Sequence, residues 1–494
     1  MKKYPILIVG IVMKNLLIDS FFNNINGYQL DKYQRRVIVD NSNHLLVVAA
    51  AGSGKTLTII GKVKYLIEKI GIKEDEILCL SFTNETVNNL KEKIGFNVDV
   101  FTFHKLALNI LKDNDIHYYI SQDNLLYYIT NEYFLSMEKM SNEYNYLLEY
   151  FDNVIDFKDK KFEILKRDIV SFIKKIKCNN KDIKFLYTLK RKCHYKKDKI
   201  FLIFAFSILK IYMEELLSEL KLDFDDMIIY AKNMVEKGCL KRNYKYIIID
   251  EYQDISKLRF DLVKAILDKT KAKLMCVGDD YQAIYGFSGS NVSLFIDFFK
   301  YFSDAKRIDI KNTYRNSYEL IHLSLWFVMK NNYQLRKNVY ATFFNKNPVV
   351  LVYYDDNNYL ETYNNLLNYL YLEEKKDVLV LARYNYELKI VEKENNGMNI
   401  KYLTVHRSKG LECENVILLK ASNEYLGFPS KIMNNKIFSL IDKNNEEIDY
   451  AEERRLFYVA LTRCKDKIYI LVPRNNPSYF IEEIKNRCAM LLLK

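Results

Sequence analysis

Short apolar runs recur along this chain, and each is followed by a stretch with helical periodicity. In the first half the runs lie at residues 45–50, at 77–81 and within YKYIIID at 244–250. Runs of this length that end in turn residues predict buried strands. Strands that alternate with helices predict a parallel sheet, whose ligands bind beyond the carboxyl ends of the strands. We therefore predict an α/β fold.

A second alternation of strands and helices occupies the C-terminal third. Strands are predicted at 349–353 and 378–381, and the sequences at 402–419 and 451–471 continue the pattern. We place the boundary between two α/β units near 303–306. The sequence thus predicts two parallel-sheet domains, with 28–112 and 239–304 forming the first and 305–494 forming the second.

The segment 113–238 differs from its surroundings. It is rich in Lys, Tyr, Phe and Leu at helical spacing and is nearly free of turn dipeptides. We predict an all-helical insertion into the first domain. Its basic run KRKCHYKK at 190–197 has two interpretations, a solvated helical face and a contact to phosphates, and the sequence leaves both open.

The N-terminal residues MKKYPILIVGIVMKN imitate a signal peptide. The apolar run at 5–13 is short, Lys14 ends it, and no small-residue cleavage site follows. We treat 1–27 as an extension whose apolar run is a buried strand or a partner-docking segment. No other stretch is long enough to span a bilayer, so we expect no membrane association.

Composition changes this picture little. The 494 residues include 75 Lys+Arg and 63 Asp+Glu, a net charge of +12 that weakly favours polyanionic partners. The eight cysteines show neither C-x-x-C pairing nor histidines at zinc spacing. This favours reduced thiols in a cytoplasmic protein over a metal site.

The first predicted strand runs into a glycine-rich loop and then a helix. The loop residues are Ala51, Gly52, Ser53, Gly54, Lys55 and Thr56. Backbone N–H groups at a helix start face an anion, a lysine here reaches the outer phosphates, and the threonine hydroxyl can ligate Mg²⁺. Position 49 is Ala where the general phosphate-loop pattern has Gly. The pattern still predicts a nucleotide site.

Two further strand ends carry polar groups. The strand in YKYIIIDEYQDIS delivers Asp250 and Glu251, of which one can hold Mg²⁺ through water and the other can take a proton from attacking water. The sequence at 273–291 carries Gln282 and the aromatic pair Tyr285 and Phe287. These groups are predicted to share the edge of the sheet with the phosphate loop.

Taken in order, AAGSGKT, SFTN, TFH, IIIDEYQD, GDDYQAIYGFSG, TYRN, TVHRSKGLE and EERRLFYVALTR resemble the motifs of the UvrD/Rep family of superfamily 1 helicases. LDFDDMI, LARYNY and GFPS are similar to the helicase IV branch. The resemblance extends from about residue 27 to 486. It implies two RecA-like domains that bind ATP and Mg²⁺ between them. It also implies 3′ to 5′ movement on single-stranded DNA or on a duplex with a 3′ tail.

The resemblance assigns roles in hydrolysis. Lys55 and Thr56 would hold the phosphates and the metal ion. Asp250 would bind Mg²⁺ through water, and Glu251 would be the general base. Gln282 would sense the γ-phosphate.

The resemblance also assigns residues around the nucleotide. Arg315 and Arg463 would reach across the cleft from the second domain as arginine fingers. Tyr314 would stack on the adenine and Gln34 would read its edge. Glu412 would lie near the ribose.

A third set would bind single-stranded DNA. It comprises Phe82, Asn84, Thr102, His104, Tyr285, Phe287 and His406. Three positions depart from the family pattern: Phe287-Ser288 replaces Trp-Arg, Leu57 stands where some relatives have Arg, and Cys464 replaces Ala. Each departure is expected to weaken nucleotide or DNA binding without removing a residue needed for hydrolysis.

Many relatives carry an inserted 2B domain between the motifs at Arg315 and Thr404. Only 88 residues lie between these positions here, and the second domain needs them for its own strands and helices. An inserted domain would need roughly 50 more residues. We predict that 2B is absent.

Two other functions remain open. One is a regulatory ATPase subunit that gates a protein partner, such as a nuclease or defence effector, without processive unwinding. The other is a factor that remodels RNA polymerase. It ranks lower because its known examples carry a long N-terminal arm, whereas about 27 residues precede the motifs here.

Overall fold

The computed structural model describes residues 19–116, 118–122, 124–154, 156–157, 159–392, 397–431, 436–441 and 449–491. The apolar run at 5–13 lies outside these residues. Within the described part, none of the helices combines the length and apolar character needed to cross a bilayer.

The first domain is built on a parallel sheet of six strands. The strands are β1 His44–Ala49, β2 Ile77–Ser81, β3 Asp99–Thr102, β4 Tyr246–Ile249, β5 Lys273–Gly278 and β6 Lys306–Ile310. Their order is β3-β2-β4-β5-β1-β6, and all pairs are parallel. The carboxyl ends of β4, β5 and β1 therefore lie side by side, with those of β2 and β3 next to them.

Four helices accompany the first three strands. They are α1 Lys32–Val39, α2 Lys55–Glu68, α3 Asn84–Ile94 and α4 Phe103–Asp113. Side chains of β1 alternate between two apolar clusters, because successive residues of a strand point to opposite faces. Leu45 and Val47 pack with residues of α1, α2 and α3, while Leu46 and Val48 pack on the opposite face with α4.

Five helices form an insertion with its own apolar core. They are α5 Leu125–Leu135, α6 Asn142–Tyr150, α7 Lys160–Cys178, α8 Ile183–Lys192 and α9 Lys196–Ser218. Phe134, Phe172 and Phe204 lie buried at its centre. A short parallel pair, Tyr119–Ile120 with Lys221–Leu222, closes the base of the insertion. The predicted helical insertion is present.

Two later helices return to the first sheet. They are α10 Phe224–Glu236 and α11 Lys257–Thr270; α10 packs with both α4 and α11, and all three contribute to the same apolar cluster. The predicted insertion at 113–238 included α10 because helical periodicity does not show which core a helix faces. We propose that the insertion ends before Phe224.

The second domain is another six-stranded parallel sheet. Its strands are β7 Val349–Tyr354, β8 Asp377–Ala382, β9 Asn399–Thr404, β10 Cys413–Leu418, β11 Cys464–Pro473 and β12 Ala489–Leu491. Their order is β9-β8-β10-β11-β7-β12, with all pairs parallel. The strands predicted at 349–353 and 378–381 are confirmed to within one residue at each end.

The helices of the second domain are α12 Tyr318–Val328, α13 Tyr359–Leu372, α14 Asn385–Val391, α15 Ala451–Leu461 and α16 Tyr479–Ile484. Between Arg315 and Thr404, the described residues form α12, α13, α14 and strands β7 to β9, joined by turns and by the irregular stretch 329–348, which contains the two-residue strand Tyr340–Ala341. These elements build the second domain itself. Within 316–392 and 397–403, therefore, no separate inserted module is present, in agreement with the predicted absence of 2B.

The boundary predicted at 304/305 is wrong. It separates β6 from the first domain, whereas β6 pairs with β1 over Lys306–Ile310. An apolar strand pattern does not identify the sheet that a strand joins. We propose that the chain crosses to the second domain after Ile310.

The two domains also meet through a contact that the sequence did not predict. Ile437 and Phe438, from the connection between β10 and α15, belong to the apolar core of the insertion. The ring centroids of Phe172 and Phe438 are 5.5 Å apart. A part of the second domain thus packs against the helical insertion of the first.

Candidate nucleotide and DNA site

The loop after β1 has the backbone of an anion cradle. Gly52 and Gly54 have φ values of 70° and 77°, and α2 begins directly after Gly54. A Cβ atom at Gly54 would lie 2.5 Å from Gln34 Nε2. Within the described residues, the buried Ser53 Oγ has no hydrogen-bond partner. The loop therefore combines two glycine turns and a helix N-terminus with a buried hydroxyl that has no partner among the described residues.

The two carboxylates predicted at the end of β4 lie beside this loop. Lys55 Nζ is 3.3 Å from Glu251 Oε1. Burial would raise the pKa of Glu251, but Lys55 and Lys409 outweigh it and hold the pKa below its ordinary value. Burial, followed by the charge of Glu251, raises the pKa of Asp250. The charged form of Asp250 is therefore disfavoured, and a cation nearby would stabilise it.

The backbone at Glu251 is unusual. Its φ of 51° places a non-glycine residue in the left-handed region. Such conformations cost of order 1–3 kcal/mol and occur preferentially at functional sites. Here the conformation turns the chain sharply after β4, so that the side chain of Glu251 reaches Lys55.

Lys409 is a site residue that the sequence analysis did not assign. Its Nζ donates to Asp254 and, at 2.7 Å, to the carbonyl of Gln282, and it lies 4.0 Å from Glu251 Oε2. Lys409 follows β9 in the second domain, whereas its three partners follow strands of the first. It therefore joins the two domains beside the candidate general base. Its motif, TVHRSKGLE, was the available signal.

Gln282 is fixed between the domains. Its Nε2 donates to Asp279 Oδ2 at 2.6 Å, and its Oε1 accepts from Arg463 Nη2 at 3.2 Å. Arg463 is fully buried and also donates to the carbonyls of Val459 and Leu411. The three groups that accept these hydrogen bonds from Arg463, on Gln282, Val459 and Leu411, are uncharged.

The two predicted arginine fingers lie in the same region. Burial, followed by repulsion from Arg315, lowers the pKa of Arg463 to about 9. Arg315 Nε pairs with Glu412 Oε2 at 2.7 Å. Arg315 follows the crossing between the domains, and its Cβ would collide with a Cβ at Gly52. Two repelling guanidinium groups next to the phosphate loop form a site that suits an anion.

The predicted adenine residues adjoin the loop. Gln34 Oε1 accepts from the backbone N–H of Asp31 in the cap of α1, and its Nε2 contacts the carbonyl of Ser53 at 3.4 Å. Tyr314 is 48% exposed, and its hydroxyl donates to Asp31. The side chain of Tyr314 thus offers an accessible ring next to Gln34.

The residues present fit ATP with a divalent ion. The phosphate loop offers backbone N–H groups and Lys55, and Arg463 offers a positive charge whose hydrogen-bond acceptors are uncharged. Asp250 and the hydroxyl of Thr56 supply the oxygen ligands that Mg²⁺ prefers. When bound, the ion would neutralise phosphate charge.

Three predicted DNA residues form one aromatic cluster beside the turn at 279–289, at the end away from Gln282. Phe287 and His406 have ring centroids 5.4 Å apart, and Tyr285 donates to the carbonyl of His406 at 3.1 Å. Phe287 is 58% exposed, so it is not a core residue. Burial, followed by Arg383 and Lys409, lowers the pKa of His406 to about 4. The cluster is therefore an uncharged, partly exposed surface on which a base can stack.

The other four predicted DNA residues lie at the ends of β2 and β3. Phe82 packs against Phe103 at 5.1 Å, and Asn84 is exposed at the start of α3. The Thr102 side chain caps α4 by accepting from Lys105, and the His104 ring contacts the ring of Phe224. These residues share the sheet edge with the phosphate loop but lie beyond β4, on the side away from β1.

The turn that carries Phe287 is held by both domains. The N–H of Gly286 donates to Glu452 Oε1 of α15 at 3.0 Å. On the other side, Cys178 at the end of α7 contacts the carbonyl of Ser288, and Gly289, with φ of 93°, leaves no room for a Cβ beside Cys178. The Ser288 hydroxyl donates to the carbonyl of Tyr285. The departure from Trp-Arg thus leaves a short side chain turned back on its own loop.

The basic run of the insertion remains a prediction in both of its interpretations. Lys190, Arg191 and Lys192 are exposed at the end of α8. Lys196 pairs with Glu149, and Lys197 pairs with Asp152. Two of its charges are therefore already neutralised within the insertion.

Comparison with protein families gives two matches. The model described as UvrD/REP helicase N-terminal domain matches residues 30–303, more than half of the chain. The model described as viral superfamily 1 RNA helicase core domain matches residues 230–472. The first match contains the phosphate loop, both carboxylates, Gln282 and Phe287.

Three curated relatives illustrate the similarity. DNA helicase IV of Escherichia coli (strain K12) is 28% identical over 94% of this chain and 72% of its own length. A probable DNA helicase II homolog of Mycoplasma capricolum is 27% identical over 68% of this chain, and the ATP-dependent DNA helicase PcrA of Staphylococcus aureus (strain Mu50) is 23% identical over 79%. The chain spans 45% and 52% of the length of these two relatives. From its family match, its two parallel-sheet domains and its phosphate loop, the chain belongs to the UvrD/REP helicase family.

Proposed function

We propose that this protein is an ATP-dependent DNA helicase that moves 3′ to 5′ along single-stranded DNA in the cytoplasm. One observation carries the proposal. The segment 279–289 has Gln282 in contact with Arg463 at one end and the exposed Phe287 beside His406 at the other. A single short turn thus joins the candidate nucleotide site to the candidate DNA surface.

In hydrolysis, Lys55 and the N–H groups of the loop bind the phosphates, and Thr56, together with Asp250 through water, would hold Mg²⁺. Glu251 accepts the proton of the attacking water. Arg315 and Arg463 supply positive charge to the transition state, which phosphoryl transfer requires. Because Arg463 and Lys409 belong to the second domain, hydrolysis depends on closure of the cleft.

Movement follows from the same contacts. Closing and opening of the cleft shifts the second domain relative to the first, and the turn at 279–289 transmits this shift to the aromatic cluster. Bases that stack on aromatic rings are held without regard to sequence, at about 1–3 kcal/mol each. DNA is proposed as the strand because the three relatives above are named DNA helicases.

The proposal is tested by Phe287→Ala. Because Phe287 is exposed, the variant should keep its melting temperature and its basal ATPase rate. Single-strand affinity should fall by about 1–3 kcal/mol, and stimulation of ATPase by DNA should collapse. Fluorescence anisotropy with labelled oligonucleotides, beside ATPase with and without DNA, measures these effects.

Phe299→Ala is the matched control, since Phe299 is 45% exposed and lies in the first domain outside the cluster. It should behave as the unaltered protein. If both variants bind DNA normally, the aromatic cluster is not the DNA surface. A native ATPase that DNA does not stimulate would instead favour the subunit that gates a partner.

A further inference from the structure

A buried ionic cluster connects the second domain to the turn that carries Gln282. The loop 333–337 follows α12, and its Lys337 Nζ pairs with both Asp279 and Asp280 directly after β5. The side chain of Lys337 is 3% exposed, and both aspartate side chains are fully buried. Lys337 lies in an irregular loop that contains none of the helicase motifs, so no sequence pattern marks it.

Additional contacts hold the loop 333–337 against the turn that carries Gln282. Lys337 Nζ lies 3.8 Å from the ring centroid of Tyr281. The Tyr281 hydroxyl donates a hydrogen bond to the carbonyl of Leu335 at 2.8 Å, and the N–H of Leu335 donates one to Asp280 Oδ2 at 2.7 Å. The loop and the turn therefore form one packed unit across the two domains.

Asp279 and Asp280 differ in one decisive respect. Asp279 Oδ2 accepts the hydrogen bond from Gln282 Nε2, and this bond leaves Gln282 Oε1 facing Arg463. The contact described for Asp280 beyond Lys337 is to the loop backbone. The chain of contacts thus runs from Lys337 through Asp279 and Gln282 to Arg463.

A buried carboxylate without a cationic partner is costly, so its side chain is expected to move when that partner is removed. Without Lys337, the side chain of Asp279 would shift, and the amide of Gln282 would no longer be held in its present orientation. We propose that Lys337 is a positioning residue for Gln282: it holds the carboxylate of Asp279 in place, and so makes the γ-phosphate contact depend on the position of the loop 333–337. The inference rests on the proposed function, in which Gln282 contacts the γ-phosphate.

The test compares Lys337→Met with Gln282→Ala and with the double variant. Displacement of a reacting group by about 1 Å costs up to 10²-fold in rate, so Lys337→Met should lower DNA-stimulated kcat by about 10–100-fold. Nucleotide affinity should change little. In the Gln282→Ala background, Lys337→Met should add no further loss in kcat, because groups that act as a unit are non-additive.

Asp279→Asn and Asp280→Asn provide the matched pair. Each removes one carboxylate from Lys337 and should lower the melting temperature to a similar extent. Only Asp279→Asn should lower kcat, since only Asp279 contacts Gln282. Lys337→Arg, which keeps the charge, should recover most of the activity.

Equal kcat losses for the two aspartate variants, or a full additional loss from Lys337→Met in the Gln282→Ala background, would show a structural role alone and overturn the inference. Normal turnover in Gln282→Ala would overturn the assignment of Gln282 in the proposed function as well. A defective Gln282→Ala beside a fully active Lys337→Met would overturn the inference only. The two failures are therefore distinguishable.

Discussion

Glu251→Gln should bind ATP and hydrolyse it at least a hundredfold more slowly than the unaltered protein. General bases contribute about 10²–10⁴-fold, and glutamine keeps the size of the side chain but accepts no proton. Lys55 and Lys409 hold the pKa of Glu251 low, so its carboxylate is ionised at neutral pH and has no proton of its own. Single-turnover hydrolysis and titration with a fluorescent nucleotide separate the chemical step from binding.

Two further variants make this result specific. Lys55→Ala should lose turnover and phosphate binding together, since the lysine is the proposed phosphate ligand. Glu387→Gln, at a glutamate 2% exposed in the second domain, should leave turnover unchanged. Near-normal hydrolysis by Glu251→Gln would refute the assignment of the general base.

Arg463→Lys should lower kcat by about 10³-fold or more, which is the range measured for arginine fingers. Lysine keeps a positive charge but lacks the planar set of donors with which Arg463 contacts Val459, Leu411 and Gln282. DNA binding should persist, because the aromatic cluster does not include Arg463. Steady-state ATPase with saturating single-stranded DNA measures the loss.

Arg454→Lys is the control, at an arginine of α15, the helix that ends just before Arg463. Arg454 is 3% exposed and pairs with Glu483 on the side of the helix away from the nucleotide site. This variant should lose stability while keeping its turnover per folded molecule. Equal kcat losses in Arg463→Lys and Arg454→Lys would contradict a role for Arg463 in the transition state.

The sequence was most informative where chemistry requires a fixed order of residues. The loop at 51–56 must offer glycine turns, a lysine and a hydroxyl in succession, and the apolar strands before it and before Asp250 are continuous because both faces of a parallel sheet are covered. These features predicted the sheet, the edge of the sheet that carries the polar site residues, and the separation of two domains. Phe287 was predicted to bind single-stranded DNA, and its side chain is exposed, as such a contact requires.

Tertiary partners could not be predicted in the same way. Helix α10 and strand β6 have ordinary periodicity, and only packing shows that both belong to the first domain. Lys337 acts on Asp279 from 58 residues away, with no local pattern to mark it. Phe438 likewise joins a core formed by residues far from it in sequence. Each of these depends on the way in which separate elements meet.

Directed movement on single-stranded DNA is measured most directly by translocation on oligonucleotides of increasing length that carry a fluorophore at one end. After a single round of binding and ATP addition, arrival at a 5′ label should be delayed in proportion to length. A 3′ label should give a signal whose timing does not depend on length, and Glu251→Gln should abolish the delay series. A length-dependent arrival at the 3′ end would contradict the proposed direction, and length-independent signals at both ends would contradict movement itself.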